Sequence, residues 1–117
     1  MKRLGKTEYI QKYERIKKEL KEKLNTDGWD GKWFKRAFMD DMTPLGSDSC
    51  EECKIDAISQ SWAVISRAGD TDKNVMAMDN LDKYLIDKSA GIIKLLTPAF
   101  DKSNVEPRIY KSIFTRC

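Results

Sequence analysis

Asp40-Asp41, Glu51-Glu52 and Asp56 lie close together in sequence, in or beside stretches that read as loops. Paired carboxyl groups are the means by which glycosidic bonds are made and broken. One is held protonated to give its proton to the leaving oxygen, and a second group works from the opposite face. Neighbours in sequence point in different directions, however, and loop acids are commonly solvated or capping groups, so no residue is assigned a catalytic role. Asp56 stands where the N-cap of a helix is expected. Cys50-Glu51-Glu52-Cys53 has the Cys-x-x-Cys spacing, but the chain has no His and only Cys117 besides. A closed structural zinc site therefore lacks ligands, and no metal is expected. Two intervening Glu raise rather than lower thiol pKa values, which argues for reduced, unreactive thiols. Trp29, Trp33 and Trp62 are candidates for stacking on sugar rings, yet core packing is favoured for each, and most clearly for Trp62 in mid-helix. There is no Gly-rich phosphate loop, no nucleophile elbow and no cofactor motif.

The elements that position these groups are mostly helical. Tyr9, Tyr13, Ile16, Leu20 and Leu24 recur at helical spacing, with Thr7 as a cap and Asn25-Thr26-Asp27-Gly28 as a stop. At about 1.5 Å per residue this predicts a first helix of about 27 Å. Trp29 to Asp41 has no helical stripe and reads as irregular, with a short strand at Trp33–Phe38; Thr43 to Ser49 has the composition of a loop. A second helix is predicted from near Asp56 on a stripe of Ile58, Trp62 and Ile65, closed by Gly69. Asp70 or Thr71 caps a third, with Val75, Met78, Leu81 and Leu85 on one face. The short link between these two predicts an αα-hairpin. Gly91 to Leu96 is expected as a short buried strand or an extended stretch, and the chain is loop-like after Thr97-Pro98, with Pro107 against a long final helix.

Net charge is +3, and seven Lys/Arg against four Glu between Lys6 and Lys23 account for it. The acids alternate with the bases in favourable i,i+4 order, Glu8–Lys12, Glu14–Lys18 and Glu19–Lys23, so this face reads as solvated rather than as a nucleic-acid surface. No apolar run is long enough to span a membrane and no signal core follows the basic start, which makes the cytoplasm the expected location.

The stretches WDGKWFKRAFMDDMTPLGS, EECKIDAISQSWAVISRAGD and LLTPAFD, in that order, resemble glycoside hydrolase family 94, the inverting glycoside phosphorylases, over about Leu4 to Pro107. Within it the likeness is to the phosphorylase-type region of cyclic β-1,2-glucan synthases and β-1,2-oligoglucan phosphorylases. The resemblance implies a mainly α fold, a segment of an (α/α) barrel of six helical hairpins. It also implies attack of inorganic phosphate on the anomeric carbon while one Asp protonates the leaving oxygen. In the family that Asp sits in a Gly-Asp-Trp-Asn-Asp stretch, and a phosphate-binding His lies beyond the region matched here; this chain matches neither. Residues 1–117 are thus expected to be a single barrel segment whose tail, 108–117, departs from the family pattern. Three helices cannot close a ring that takes a dozen, so the segment is expected to be catalytically silent alone. Asp40, Asp41, Glu52 and Gln60 are the polar residues expected to face a sugar. Partners in the intact enzyme are a β-glucan or oligosaccharide, inorganic phosphate and the remaining barrel segments. Against the family pattern, Met42 and Arg67 (and Arg108) stand where Gly is usual, Cys50 where Asn is, and Ala99 where Pro is; side chains at turns that call for Gly cost backbone freedom. A different class remains open: a small helical interaction module that docks through its apolar stripes.

Overall fold

The computed structural model of the protein describes residues 6–101, so the tail with Pro107, Arg108 and Cys117 lies outside the described residues. Three helices and three two-stranded antiparallel pairs form among them, in the order α1 (Thr7–Asn25), β1 (Ala37–Phe38), β2 (Pro44–Leu45), β3 (Ile55–Asp56), α2 (Ala57–Ile65), α3 (Thr71–Leu85), β4 (Ile86–Asp87), β5 (Ile92–Ile93) and β6 (Leu96–Thr97). The fold is mainly α, as the sequence predicts.

α1 has the predicted span, but Thr7 is its first residue rather than its cap; Lys6 holds the cap position without a side-chain bond. Its apolar stripe is real and largely uncovered. Tyr9, Tyr13 and Leu20 are all more than half exposed, and only Leu24 packs on the core. The helix ends as its turn chemistry predicts, with the Thr26 and Gly28 N–H groups returning to the last-turn carbonyls.

The expected strand at Trp33–Phe38 contracts to Ala37–Phe38, paired with Pro44–Leu45, and a single bridge between Trp29 and Phe34. The reason is that Trp33 and Phe34 are consumed by the core rather than by a ladder. β3 pairs with β6, so Ile55 and Asp56 at the entrance of α2 lie beside Thr97 and Leu96. β4 pairs with β5 as a hairpin off the end of α3. The buried strand expected over Gly91–Leu96 is therefore two pieces: Ile92 and Ile93 are exposed, and Leu96 is buried in β6.

α2 and α3, linked by residues 66–70, pack on each other more than any other pair of elements, which is the predicted hairpin. The faces differ from the prediction. α2 buries Gln60 and Ala63 and turns Trp62 and Ile65 outward, with Trp62 61% exposed. α3 buries Ala77, Leu81 and Leu85, while Val75 and Met78 are exposed. Small residues face each other because they let the helices approach closely, and Trp33, Phe34 and Ile55 fill the space beside them. A second cluster of Cys53, Leu96 and Phe100, with Leu45 and Leu95 against it, closes the other side of β3.

Candidate functional site

The irregular stretch between α1 and α2 is held by side chains where a regular element would use its backbone. Gln60 is fully buried, and its amide behaves like a strand edge toward Phe34. Gln60 Oε1 accepts from Phe34 N–H at 2.8 Å and Nε2 donates to Phe34 C=O at 2.9 Å, with a further bond to Asp56 C=O at 3.0 Å. That uses the acceptor and both amide hydrogens, as buried polar groups require. The buried Trp33 indole N–H is shared between Gly46 C=O (3.0 Å) and Lys54 C=O (2.8 Å), tying the loop to the start of β3. Asp30 receives Ser47 O–H at 2.8 Å and Asp48 N–H at 2.9 Å, so the Trp29-Asp30-Gly31 turn is stapled to the Thr43–Ser47 loop. Gly46 sits at φ +81°, and a Cβ there would meet Arg36 N at 2.7 Å; the loop closes on itself only because that atom is missing.

Asp56 caps α2 as predicted, accepting from Ile58 N–H at 2.8 Å and Ser59 N–H at 3.2 Å. It is fully buried, with the Arg36 guanidinium 4.0 Å away. Asn25 does the same work at the end of α1: it donates to Ala68 C=O and Lys21 C=O and accepts from Asp70 N–H, all at 2.8 Å. It thus anchors α1 to the turn before α3.

The residues expected to face a sugar are placed in three different settings. Asp40 and Asp41 are exposed near the tip of the β1–β2 hairpin. Asp41 is held below the usual carboxylate range by hydrogen bonds from the Thr43 side chain and then its backbone N–H. A proton donor needs the opposite shift, so Asp41 is unsuited to general-acid work at neutral pH. Glu52 is half-buried and lines a cleft of about 210 Å³ with Met39, Thr43, Cys50 and Phe100. Gln60, expected on a sugar-facing surface, is instead wholly committed to the backbone of Phe34 and Asp56, because its helix face is the one pressed onto the core. Among the described residues no group of three His, Cys, Asp or Glu is arranged to hold a metal ion.

Cys50 and Cys53 are free thiols. Burial first, and the Asp56 charge second, push the Cys53 thiol up to about 12, so it stays protonated; the flanking Glu residues named from sequence are not the main cause. Cys50 lies 3.0 Å from Pro44 C=O and so helps to hold the same loop. Met42 and Arg67 adopt φ of 68° and 59°, the left-handed region in which a Cβ is strained. The resemblance implies Gly at both positions, so the expected departure and the strained backbone coincide. Trp33 is core, as favoured from sequence, and Trp29 is half-buried against Phe34 at 4.9 Å, but Trp62 is on the surface because α2 is turned the other way.

Sequence reasoning missed the scaffold roles of Asn25, Asp30 and Gln60. One signal was present: Ala57, Gln60 and Ala63 recur every three residues and mark a close-packing face that the bulkier Ile58–Trp62–Ile65 stripe drew attention from.

The chain matches the family model described as "Glycosyl hydrolase 94 superfamily, catalytic domain" over residues 1–115. It is 39% identical over 100 residues to the cyclic beta-(1,2)-glucan synthase NdvB of Rhizobium meliloti (strain 1021), covering 86% of this chain and 4% of that protein. It is 35% identical over 82 residues to the 3-O-beta-D-glucopyranosyl-beta-D-glucuronide phosphorylase of Paenibacillus borealis, covering 68% of this chain and 11% of that protein. To the solabiose phosphorylase of the same organism it is 33% identical over 79 residues, 68% of this chain and 10% of that protein. The chain thus spans a small part of the length of each relative. No helix among the described residues is long and apolar enough to cross a membrane.

Proposed function

The chain belongs to the glycosyl hydrolase 94 superfamily, matching its catalytic domain, and from that premise we propose that it is a positioning segment of a β-glucan phosphorylase or synthase barrel. It supplies one helical hairpin and the aromatic loop packed on it, and it does not turn over sugar as a separate 117-residue chain. In that reading the buried bracket of Gln60, Trp33 and Asp30 fixes the β1–β2 hairpin, and the hairpin carries Asp40 and Asp41 toward a sugar bound among other barrel segments. Inorganic phosphate and an oligosaccharide are the substrates of the assembled site.

The observation that carries the reading is the commitment of the motif's polar residues. Asp30, Trp33 and Gln60, which hold the resemblance, spend their hydrogen bonds on the chain's own backbone and loop, and Asp56 gives one carboxylate oxygen to the α2 cap. The acids left over include Asp41, whose carboxyl is biased toward the ionised form. In this reading the general acid comes from elsewhere in the barrel.

Two assays test this. The purified chain, given β-1,2-linked oligosaccharides and inorganic phosphate, is expected to release no sugar phosphate; steady turnover contradicts the proposal. A chimera of a family phosphorylase in which residues 6–101 replace the matching stretch is expected to keep measurable phosphorolysis and to lose it on Gln60→Ala.

The uncovered stripe of α1 favours a second reading, a small interaction module without enzymatic activity. A chain that melts cooperatively, combined with an inactive chimera, supports the module over the barrel segment.

A further inference from the structure

The β1–β2 hairpin carries two acids side by side, and its backbone uses them differently. Met39 N–H donates to Thr43 C=O at 2.9 Å, and Met42 N–H donates to Met39 C=O at 2.8 Å. The chain thus reverses through a three-residue loop of Asp40, Asp41 and Met42. Hairpin loops of that length end on a left-handed residue, a place that suits glycine. Here Met42 takes it, at φ 68°. A Cβ disfavours that conformation, so another interaction has to hold it.

Asp41 supplies that interaction. Its Oδ1 accepts Thr43 N–H at 2.9 Å, and the bond spans Met42. A carboxylate that bonds the backbone two residues on closes a small ring that imitates a turn. Bonds from Thr43 hold the Asp41 carboxyl below the usual carboxylate range, as expected of an acceptor in steady use. All of these contacts lie within residues 39–43, so they form whatever else a barrel places around the hairpin. Asp40 is not tied in this way: among the described residues nothing donates to its carboxyl.

On the reading that this segment belongs to a sugar site, we infer that the two acids divide the work. Asp41 is a positioning residue that sets the tip, and Asp40 is the carboxylate that the tip presents to hydroxyl groups of a glucosyl unit. An ionised carboxylate only accepts hydrogen bonds, through two oxygens, and neighbouring hydroxyls on a sugar ring supply two donors. Asp41 has given one oxygen to Thr43. Asp40 keeps both.

Steady-state phosphorolysis by the chimera that carries residues 6–101 tests the division. Asp40→Asn is expected to lower kcat/KM about 10- to 100-fold, chiefly through KM, with an unchanged melting temperature. Asp41→Asn keeps an acceptor for Thr43 N–H, because asparagine closes the same ring, and is expected to stay within about twofold of the parent. Asp41→Ala opens the ring and is expected to cost about tenfold. Met42→Gly in the same chain turns left-handed without help and is expected to recover most of that loss. Asp41→Asn as damaging as Asp40→Asn overturns the inference. So does Asp40→Asn with the parent's kinetics, or an Asp41→Ala defect that Met42→Gly leaves in place. An inactive parent chimera instead overturns the reading beneath, and the Asp40 assignment with it, so the two failures are told apart. In the 117-residue chain itself, the Thr43 amide resonance is expected to titrate below the usual carboxylate range and to stop titrating in Asp41→Asn. An amide indifferent to Asp41 overturns the positioning role whatever the chimera does.

Discussion

α1 and the loop between Trp29 and Ser47 reverse the usual relation between pattern and burial. α1 has the cleanest helical periodicity in the chain, and most of its apolar stripe faces outward. The loop has no period at all, yet it supplies Trp33 and Phe34, two of the most deeply buried side chains. Periodicity reports what shape a segment can take, because it depends on backbone geometry alone. Burial is decided by what the rest of the chain brings alongside. Here α2 and α3 meet the loop along their buried faces and touch α1 at its end, where Lys73 Nζ donates to Asn25 C=O. The stability of the chain accordingly resides in side-chain hydrogen bonds to irregular backbone, and α1 is held mainly at its end through Asn25 and Leu24.

Removing the bracket gives the largest effects. Trp33→Ala empties a core site and orphans two carbonyls, and is expected to cost about 3–5 kcal/mol in a chemical denaturation curve. Gln60→Ala leaves Phe34 N–H and C=O buried without partners, and is expected to cost about 3 kcal/mol or more. A loss below about 1 kcal/mol in either places the stability elsewhere.

Alkaline pH probes the same region through Cys53, whose thiol is raised from 9.0 to about 12 by burial. Below pH 9 the thiol is protonated in both folded and unfolded chains, and its contribution is complete. As pH rises from 9 toward 12 the unfolded chain loses that proton first, so stability falls. The denaturation midpoint is expected to drop more between pH 8 and pH 10.5 in the native chain than in Cys53→Ala. Equal drops remove Cys53 as the cause.

Asp56→Ala, which removes the α2 cap, is expected to cost about 1–2 kcal/mol. In the opposite direction, Arg67→Gly relieves a left-handed residue and is expected to stabilise by about 1 kcal/mol, a small rise in melting temperature. The smallest effect belongs to α1. Leu20→Ser is expected to change stability by less than about 0.5 kcal/mol. A large loss there means that α1 is packed after all.

Local signals carried the sequence reading a long way. The spans of α1 to α3, the hairpin of α2 and α3 and the Asp56 cap all follow from short-range rules of spacing, capping and turn chemistry, whereas the strain at Met42 and Arg67 was flagged by the family resemblance. What stayed hidden is long-range. Gln60 meets Phe34 across 26 residues and Asn25 meets Asp70 across 45. Nothing local distinguishes a glutamine offered to a ligand from one that closes a loop. The outward turn of Trp62 was missed for a related reason: bulk was taken as the sign of the buried face, while close packing of α2 on α3 selected the small one. Of the residues expected to face a sugar, Glu52 lines a cleft, and Asp40 and Asp41 are exposed on the β1–β2 hairpin.

Amide hydrogen exchange read by mass spectrometry tests most directly whether loop rather than periodic helix holds the chain together. Slow exchange is expected in peptides from Trp33 to Arg36 and from α2 and α3, with peptides between Tyr9 and Leu20 exchanging orders of magnitude sooner. If the amides of α1 outlast those around Phe34, the bracket is not what stabilises this protein.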